Sequence, residues 1–112
     1  MATDQSSHIF RADKFVVPDE ARDDFVHSLR RTHELLAEQP GFVQDFLLEQ
    51  SGGPGEFNFV TVVEWESSDA ISDARTTVEA MHERWNFDPK ELFSNRDITA
   101  DIGTYALIGG TR

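Results

Sequence analysis

The sequence of 112 residues contains no cysteine. This absence excludes disulfide bonds, thiolate nucleophiles, iron–sulfur clusters and zinc sites built on thiolates. Long apolar runs are also missing, since no segment approaches the roughly 20 apolar residues of a membrane-spanning helix. Met1 to Ser7 is polar and has no apolar segment of the signal-peptide type. We therefore expect a cytoplasmic protein with no membrane partner.

Positive charge is scarce, because 10 Lys and Arg residues face 21 Asp and Glu residues and the formal net charge is -11. The acidic residues are spread along the chain, which indicates a solvated acidic surface. Such a surface repels phosphate groups, whereas nucleic acids bind clustered Lys and Arg. The composition therefore predicts no nucleic-acid partner.

The length and the 38% hydrophobic content suffice for one modest core. We expect a single domain over residues 8–112, preceded by a loose arm over residues 1–7. A domain of this size gains stability when two copies pair and bury apolar surface that each would leave exposed. Dimerisation is therefore expected on grounds of size alone.

The stretch from Phe57 to Trp85 is typical of one strand that runs directly into one helix. Before the junction, every second residue belongs to the side expected to face a core, at Phe57, Phe59, Thr61, Val63 and Trp65. The intervening Val60 and Val62 indicate that the other face of this strand is covered too. Oxygen caps for a helix follow at Ser67, Ser68 and Asp69, and an apolar stripe continues at steps of three and four through Ile71, Ala74, Val78, Met81 and Trp85.

Five more elements follow from the same patterns. A first strand is predicted from His8 to Val17, and Pro18 then opens a helix from about Asp19 to Glu38. The inner stripe of this helix is Phe25 or Val26, Leu29, His33 and Leu36. A second strand runs from Phe42 to Gln50, with Phe42, Phe46 and Leu48 on one face and Val43 and Leu47 on the other. A short helix begins at Pro89 behind the N-cap Asp88, and a last strand covers Asp97 to Ile108.

The loop SGGPGE over residues 51–56 favours a hairpin, so the strands on either side should be antiparallel. The full order predicts an α+β fold, the ferredoxin-like split βαβ sandwich with an antiparallel sheet. Helices would cover one face of the sheet. The other face is too apolar to be left in water, because Val43, Leu47, Val60 and Val62 lie there with part of the last strand. We therefore predict a homodimer that pairs through this sheet face.

From Phe10 to Leu107 the chain resembles the antibiotic biosynthesis monooxygenase family of dimeric α+β barrels. The features that carry the resemblance are FRADKFVVPDEARDDF, which turns into a helix at a proline, then Pro40-Gly41-Phe42, the strand end Glu64-Trp65-Glu66-Ser67, and a helix with Asp69-Ala70. The resemblance implies cofactor-independent oxidation of a small aromatic or quinol-like substrate by O₂, without flavin or metal. Some similar members degrade haem, and others have no settled activity.

The resemblance points first to Trp65, since active members keep an aromatic residue at this strand end, where it faces the cleft between sheet and helices. A tryptophan that closes a strand is also an ordinary core residue. His33 and His82 are the candidate catalytic pair, as base and orienter, because both lie on or beside inner helix stripes and histidine titrates near working pH. Trp85 and Tyr105 complete the candidate substrate-binding set.

Other polar residues have simpler interpretations. His8 and His27 are expected at the surface, and Arg11 and Asp13 are expected to be paired or exposed at an edge. The resemblance also shows departures. Polyketide-oxidising members support the tryptophan with an asparagine and a tyrosine where this chain has Thr61 and Ile71. Haem-degrading members place a histidine near Thr76 and an asparagine on the first strand, which this chain lacks.

The sequence thus supports three hypotheses of decreasing weight. The first is a cofactor-free monooxygenase with a small aromatic substrate and O₂. The second is a non-catalytic homodimer that binds a small hydrophobic ligand, and the third is haem degradation. Neither a resident cofactor nor a metal is expected.

Overall fold

The computed structural model of the protein describes residues 7–110. Its strands are β1 (Ile9–Val16), β2 (Phe42–Glu49), β3 (Phe59–Trp65) and β4 (Thr99–Ala106), and its helices are α1 (Arg22–Leu36), α2 (Ser68–Arg84) and α3 (Pro89–Asn95). This order confirms the predicted ferredoxin-like α+β pattern. Of the predicted arm over residues 1–7, only Ser7 is described; residues 1–6 and the last two residues of the predicted domain lie outside the described residues.

The four strands form one sheet in the order β2-β3-β1-β4, and every neighbouring pair is antiparallel. The hairpin predicted across residues 51–56 is the β2–β3 pair. Strands β1 and β3 lie in the centre of the sheet, so their side chains are covered by neighbours on both sides. The residues that these two strands aim at the helices therefore occupy the middle of the molecule.

The helices begin where the sequence predicts caps. The Ser67 hydroxyl accepts a hydrogen bond from the Ala70 N–H at 3.2 Å, and the Asp88 carboxylate accepts one from the Lys90 N–H at 2.9 Å. After Pro18 the chain first makes a single 3₁₀ turn, Asp19–Ala21, before α1 starts. The α-helix is therefore shorter than the predicted Asp19 to Glu38 at both ends.

Two apolar clusters hold the helices on the sheet. The phenylalanine cluster contains Phe15, Phe25 and Phe59, whose rings meet edge-on or tilted, with centroids 5.0 Å apart for Phe15–Phe25 and 5.1 Å apart for Phe25–Phe59. The tryptophan cluster contains Val63, Trp65 and Ala74. Because the clusters lie at opposite ends of β3, the helix–sheet interface between them is free to hold polar groups.

Strand β2 contains a bulge at Val43. Phe42 is opposite Trp65 and Gln44 is opposite Glu64, so two residues of β2 face one residue of β3 at this point. The predicted faces of this strand are therefore wrong. Phe42 lies on the helix side, where its ring packs at right angles on Trp65, whereas Phe46 and Leu48 point the other way. Leu47, which was expected to face away from the helices, lies opposite the inward-facing Thr61.

His8 is buried, with 4% of its area exposed, so its predicted surface position is wrong. Its Nδ1 lies 2.6 Å from Oε2 of Glu64, and the amide nitrogen of Gln44 donates to Oε1 of the same carboxylate at 2.9 Å. Burial raises the pKa of Glu64, but the hydrogen bonds from His8 and Gln44 outweigh it, so the pKa is lowered. His27 is exposed, as predicted.

The face of the sheet that turns away from the helices is largely apolar. We call it the open sheet face; it includes Phe46 and Leu48, each 51% exposed, Tyr105, 45% exposed, and the half-buried Val60 and Val62. An uncovered apolar face is thus present, and Val60 and Val62 lie on it as predicted, but Phe46 and Leu48 occupy it in place of the predicted Leu47. Within residues 7–110, no helix is long and apolar enough to cross a membrane.

Candidate functional site

A cleft between the helices and the sheet consists of two adjoining cavities. The larger, which we call the His82 cavity, has a volume of about 240 Å³, and the smaller, the Trp65 cavity, has about 160 Å³. Both are bordered by Asp13, Thr32, His33, Leu36 and Thr61, which form their shared wall. The far wall of the His82 cavity is apolar, with Phe15, Phe25, Leu29, Phe87, Leu92 and Phe93. A cleft of this character suits a flat hydrophobic ligand with a few polar substituents.

His33 lies at the centre of this shared wall. It is on the inner stripe of α1, 7% exposed, and its Nδ1 lies 2.9 Å from Oδ2 of Asp45 on β2. An ionised carboxylate can only accept hydrogen bonds, so Nδ1 carries the proton and Nε2 of the neutral ring is left as an acceptor. Nε2 has no hydrogen-bond partner among residues 7–110. His33 and Asp45 therefore form a dyad in which the carboxylate fixes the ring and the opposite nitrogen can take a proton.

His82 borders the larger cavity but is held by different partners. Its Nε2 lies 3.0 Å from the Thr32 hydroxyl, and its ring packs against Phe87 with the centroids 5.1 Å apart. Burial lowers the pKa of His82, the charge of Arg31 lowers it further, and Asp88 partly opposes both. The lowered pKa favours the neutral form of the ring. Within the described residues, the group that orients His33 is Asp45, and His82 bonds to Thr32 instead.

The three predicted aromatic site residues lie in different places. Trp65 is 2% exposed and borders the smaller cavity together with Ile71. Trp85 borders neither cavity; the Arg31 guanidinium lies over its ring, 3.7 Å from the centroid. Tyr105 is on the open sheet face, away from the cleft. The structure thus places His33 on both cavities, His82 on the larger one and Trp65 on the smaller one. The Trp85 ring packs against His82, with the centroids 5.8 Å apart, but lies outside both cavities, and Tyr105 is on the opposite face of the sheet.

Arg11 and Asp13 enter the cleft from the central strand β1. They are paired, as expected, with Arg11 Nη2 donating to Asp13 Oδ1 over a long 3.4 Å, but they do not lie at an edge of the sheet. Burial raises the pKa of Asp13, although the charge and hydrogen bond of Arg11 and the charge of His33 oppose the rise. Arg11 Nε is buried with no hydrogen-bond partner among the described residues. A buried donor without a partner costs about 1–3 kcal/mol, so the single long contact with Asp13 does not satisfy the Arg11 side chain.

The comparisons with known proteins show the family and the fold of the chain. The sequence model described as antibiotic biosynthesis monooxygenase matches residues 9–85. The chain belongs to this family. The match spans β1 through α2 and so includes Arg11, His33, Asp45 and Trp65.

Solved structures of other proteins have the same fold as this chain. The cofactor-independent oxygenase SnoaB from Streptomyces nogalater has a TM-score of 0.66 at 20% sequence identity, covering 94% of this chain and 97% of its own. The heme-degrader MhuD from Mycobacterium tuberculosis, solved with two hemes in its active site, has a TM-score of 0.67 at 19% identity, covering 93% and 99%. At these identities the similarity shows the fold alone. Among curated proteins, none matches this chain significantly.

This chain departs from the pattern of other antibiotic biosynthesis monooxygenases at three positions, and the structure shows where each of these residues lies. Thr61 is buried on the shared wall and Ile71 borders the smaller cavity, so both lie in the cleft. Thr76 is exposed on α2, and its hydroxyl donates to the Ser72 carbonyl at 3.3 Å. The position at which haem-degrading members were expected to place a histidine thus borders neither cavity.

Sequence reasoning missed Asp45 as a functional candidate. Asp45 comes after Val43 on β2, and a strand without a bulge there would point the Asp45 side chain away from the helices. Only the bulge places it opposite Val63 and beside His33. Within residues 7–110, no group of three or more His, Cys, Asp or Glu side chains is arranged to hold a metal ion.

Proposed function

We propose that the protein is a cofactor-independent monooxygenase that oxidises a small aromatic, quinol-like substrate with O₂ in the helix–sheet cleft. The observation that carries this proposal is the His33–Asp45 dyad, whose unpartnered imidazole nitrogen belongs to a ring on the wall shared by both cavities. Family membership and the similarity in fold to SnoaB support it. A base in an apolar cleft is what removal of a phenolic proton requires.

In the proposed reaction, His33 Nε2 accepts the hydroxyl proton of the substrate, and the Asp45 carboxylate stabilises the imidazolium that forms. The electron-rich anion transfers one electron to O₂, and the resulting radical pair combines to form a carbon–oxygen bond. The protonated peroxide then loses water and leaves a carbonyl group. One oxygen atom remains in the product and the other leaves as water, so the substrate supplies every electron.

The first test is oxygen uptake with a panel of hydroquinones, naphthols and anthrones. We expect uptake with at least one compound and incorporation of one ¹⁸O atom per product from ¹⁸O₂. His33→Ala should lower kcat/KM about 10²–10⁴-fold, the usual contribution of a general base. His27→Ala is the matched control, because His27 is an exposed histidine on the same helix.

Absence of uptake with every compound, under conditions in which binding is detected, would contradict catalysis and favour a non-catalytic protein that binds small hydrophobic ligands. Haem degradation would first require haem binding, which a shift of the haem Soret band on titration with the protein would detect. Retention of full activity by His33→Ala would remove the dyad from the mechanism.

We further propose that two copies pair through the open sheet face. Four of its apolar side chains, Phe46, Leu48, Val60 and Val62, lie side by side on β2 and β3. Burying such a patch against a second copy removes apolar surface from water. Light scattering at micromolar concentration should give the mass of a dimer, and Phe46→Asp should shift it toward the monomer with an unchanged far-UV circular dichroism spectrum. A monomeric wild-type protein would contradict this pairing.

A further inference from the structure

The Trp65 cavity has a charge opposite to that of the protein as a whole. The formal net charge of the chain is -11. This cavity is nevertheless bordered by two basic residues, Arg11 and Arg75, and by only one acidic residue, Asp13. Asp45 lies behind His33 and is bonded to it. A locally positive pocket in an acidic protein favours a negatively charged ligand.

Arg11 is the group with unused bonding capacity. Among its three nitrogens, Nη2 makes the single, long contact with Asp13, and Nε is buried without a partner in the described part of the chain. Nη1 likewise has no hydrogen-bond partner among residues 7–110. Guanidinium groups bind carboxylates through two adjacent N–H groups, and Arg11 offers the unbonded Nη1 beside the weakly bonded Nη2. The contact with Asp13 is long for a hydrogen bond between charged groups, so Arg11 can still bind a second carboxylate.

The rest of this cavity suits an aromatic ring. Trp65, Val63, Ile71 and Val78 border it, and the shared wall opens toward the apolar His82 cavity. His33 borders both cavities, so a hydroxyl group of a ligand held here can face the base while an anionic group faces Arg11. We propose that the Trp65 cavity binds the carboxylate of a hydroxyaromatic acid, with Arg11 as the residue that holds it. The hydroxyl part of this assignment rests on the proposed function, whereas the carboxylate part rests on Arg11 alone.

The test compares two ligands that differ by one carboxylate. Binding of 1-hydroxy-2-naphthoate and of 1-naphthol is measured by isothermal titration calorimetry at pH 7 under nitrogen, so that no oxidation intervenes. We expect the acid to bind at least tenfold more tightly than the naphthol. Arg11→Met should remove at least tenfold of the affinity for the acid and leave that for the naphthol within twofold.

Three further variants sharpen the comparison. Arg84→Met is the control, since Arg84 is exposed on α2 and borders neither cavity, and it should not change either affinity. Arg75→Met should weaken acid binding by about threefold, because a partly solvated charge contributes less than a buried one. Arg11→Lys keeps the charge but loses the planar fork, so a threefold or larger loss is expected. Circular dichroism and the Tm establish that each variant is folded; if Arg11→Met does not fold, Arg11→Lys decides.

Equal affinities of the wild type for the two ligands would overturn the proposal, as would an acid preference that survives both Arg11 substitutions. Binding of neither ligand at millimolar concentration would overturn it too. Failure of the proposed function gives a different result. Acid binding that depends on Arg11, without oxygen uptake in air, would support the carboxylate site and contradict the monooxygenase reaction.

Discussion

Replacing Glu64 by Gln tests the buried cluster formed by His8, Gln44 and Glu64. The carboxylate is 3% exposed and accepts two hydrogen bonds, at 2.6 Å from His8 and at 2.9 Å from Gln44. The amide of Gln has the same shape but only one acceptor oxygen. Its NH₂ group would face one of the two donors, so one hydrogen bond is lost and the other loses its charge assistance.

The magnitude follows from these two bonds. A hydrogen bond to a charged group contributes about 1.5–3 kcal/mol, and a neutral one about 0.5–1.5 kcal/mol. Glu64→Gln removes one charge-assisted hydrogen bond and reduces the other to a neutral one. Together these changes lower the free energy of unfolding by about 2–4 kcal/mol. For a domain of about 100 residues, each kcal/mol shifts the Tm by roughly 4–8 °C, so Glu64→Gln should lower the Tm by about 8–32 °C.

The assay is equilibrium urea unfolding at pH 7, followed by tryptophan fluorescence at one protein concentration, because a dimer's stability depends on concentration. Glu49→Gln is the control: Glu49 also accepts two hydrogen bonds, from Arg22, but this pair is solvent-exposed, and no measurable change is expected. The pH dependence adds a second check. Because the folded-state pKa of Glu64 is lowered, its contribution is present above the unfolded pKa of about 4.3 and is lost as the pH falls through the folded value.

The wild type should therefore lose stability below about pH 5 more steeply than Glu64→Gln does. If Glu64→Gln unfolds at the same urea concentration as the wild type, the cluster contributes nothing and the reasoning is refuted. Equal effects of Glu64→Gln and Glu49→Gln would refute the role of burial specifically.

Three further predictions concern the cleft and its frame. Asp45→Asn should lower kcat/KM about 10–100-fold in the oxygen-uptake assay with little change in urea midpoint, because about 1.5–3 kcal/mol of charge-assisted bonding to His33 is lost in the transition state; an unchanged kcat/KM would contradict the dyad. Arg31→Gln should raise the pKa of His82, measured by NMR titration of its ring protons, since one of the causes that lower it is removed; a pKa that stays constant or falls would show that Arg31 has no such effect. Gly41→Ala should destabilise the protein by about 2–4 kcal/mol in urea, because φ is +85° at this position and an added Cβ would lie 2.4 Å from the Cβ of Ala70; a fully stable variant would rule out this close approach.

The sequence predicted the fold because local patterns and overall order agreed. Alternation marked the strands, steps of three and four marked the helices, and the caps at Ser67 and Asp88 marked two helix starts, both of which the structure contains. The prolines and glycines at the element ends reinforced these boundaries. Agreement between independent local signals is what makes such an order reliable.

The candidate site was predictable only where periodicity decides the direction of a side chain. His33 and Trp65 lie on clear inner stripes, and both border the cleft. Tyr105 does not border the cleft. Its face could not be predicted, because both faces of the last strand contain apolar residues and alternation alone could not distinguish them. Trp85 continues the α2 stripe one residue past the last helical turn, where the helix has already ended.

The burial of His8 had no local signal at all. Its partner Glu64 is a charged residue inside an apolar strand, and the sequence does not reveal which group compensates its charge 56 positions away. Contacts of this kind depend on tertiary structure. The same holds for Asp45, whose orientation depends on an irregularity in strand pairing that no composition rule indicates.

The bulge at Val43 also constrains how such a catalytic pair can arise. Phe42 and Asp45 are three positions apart, and a regular strand cannot aim both at the helices. An aspartate introduced on an unbulged strand would emerge among the apolar side chains of the opposite face, where it would disturb pairing of two copies and leave the histidine without a carboxylate. A one-residue insertion and an acidic substitution must therefore be present together. Engineers who wish to transfer the dyad to a related scaffold should graft the whole segment from Gly41 to Asp45, because the single substitution would damage the recipient.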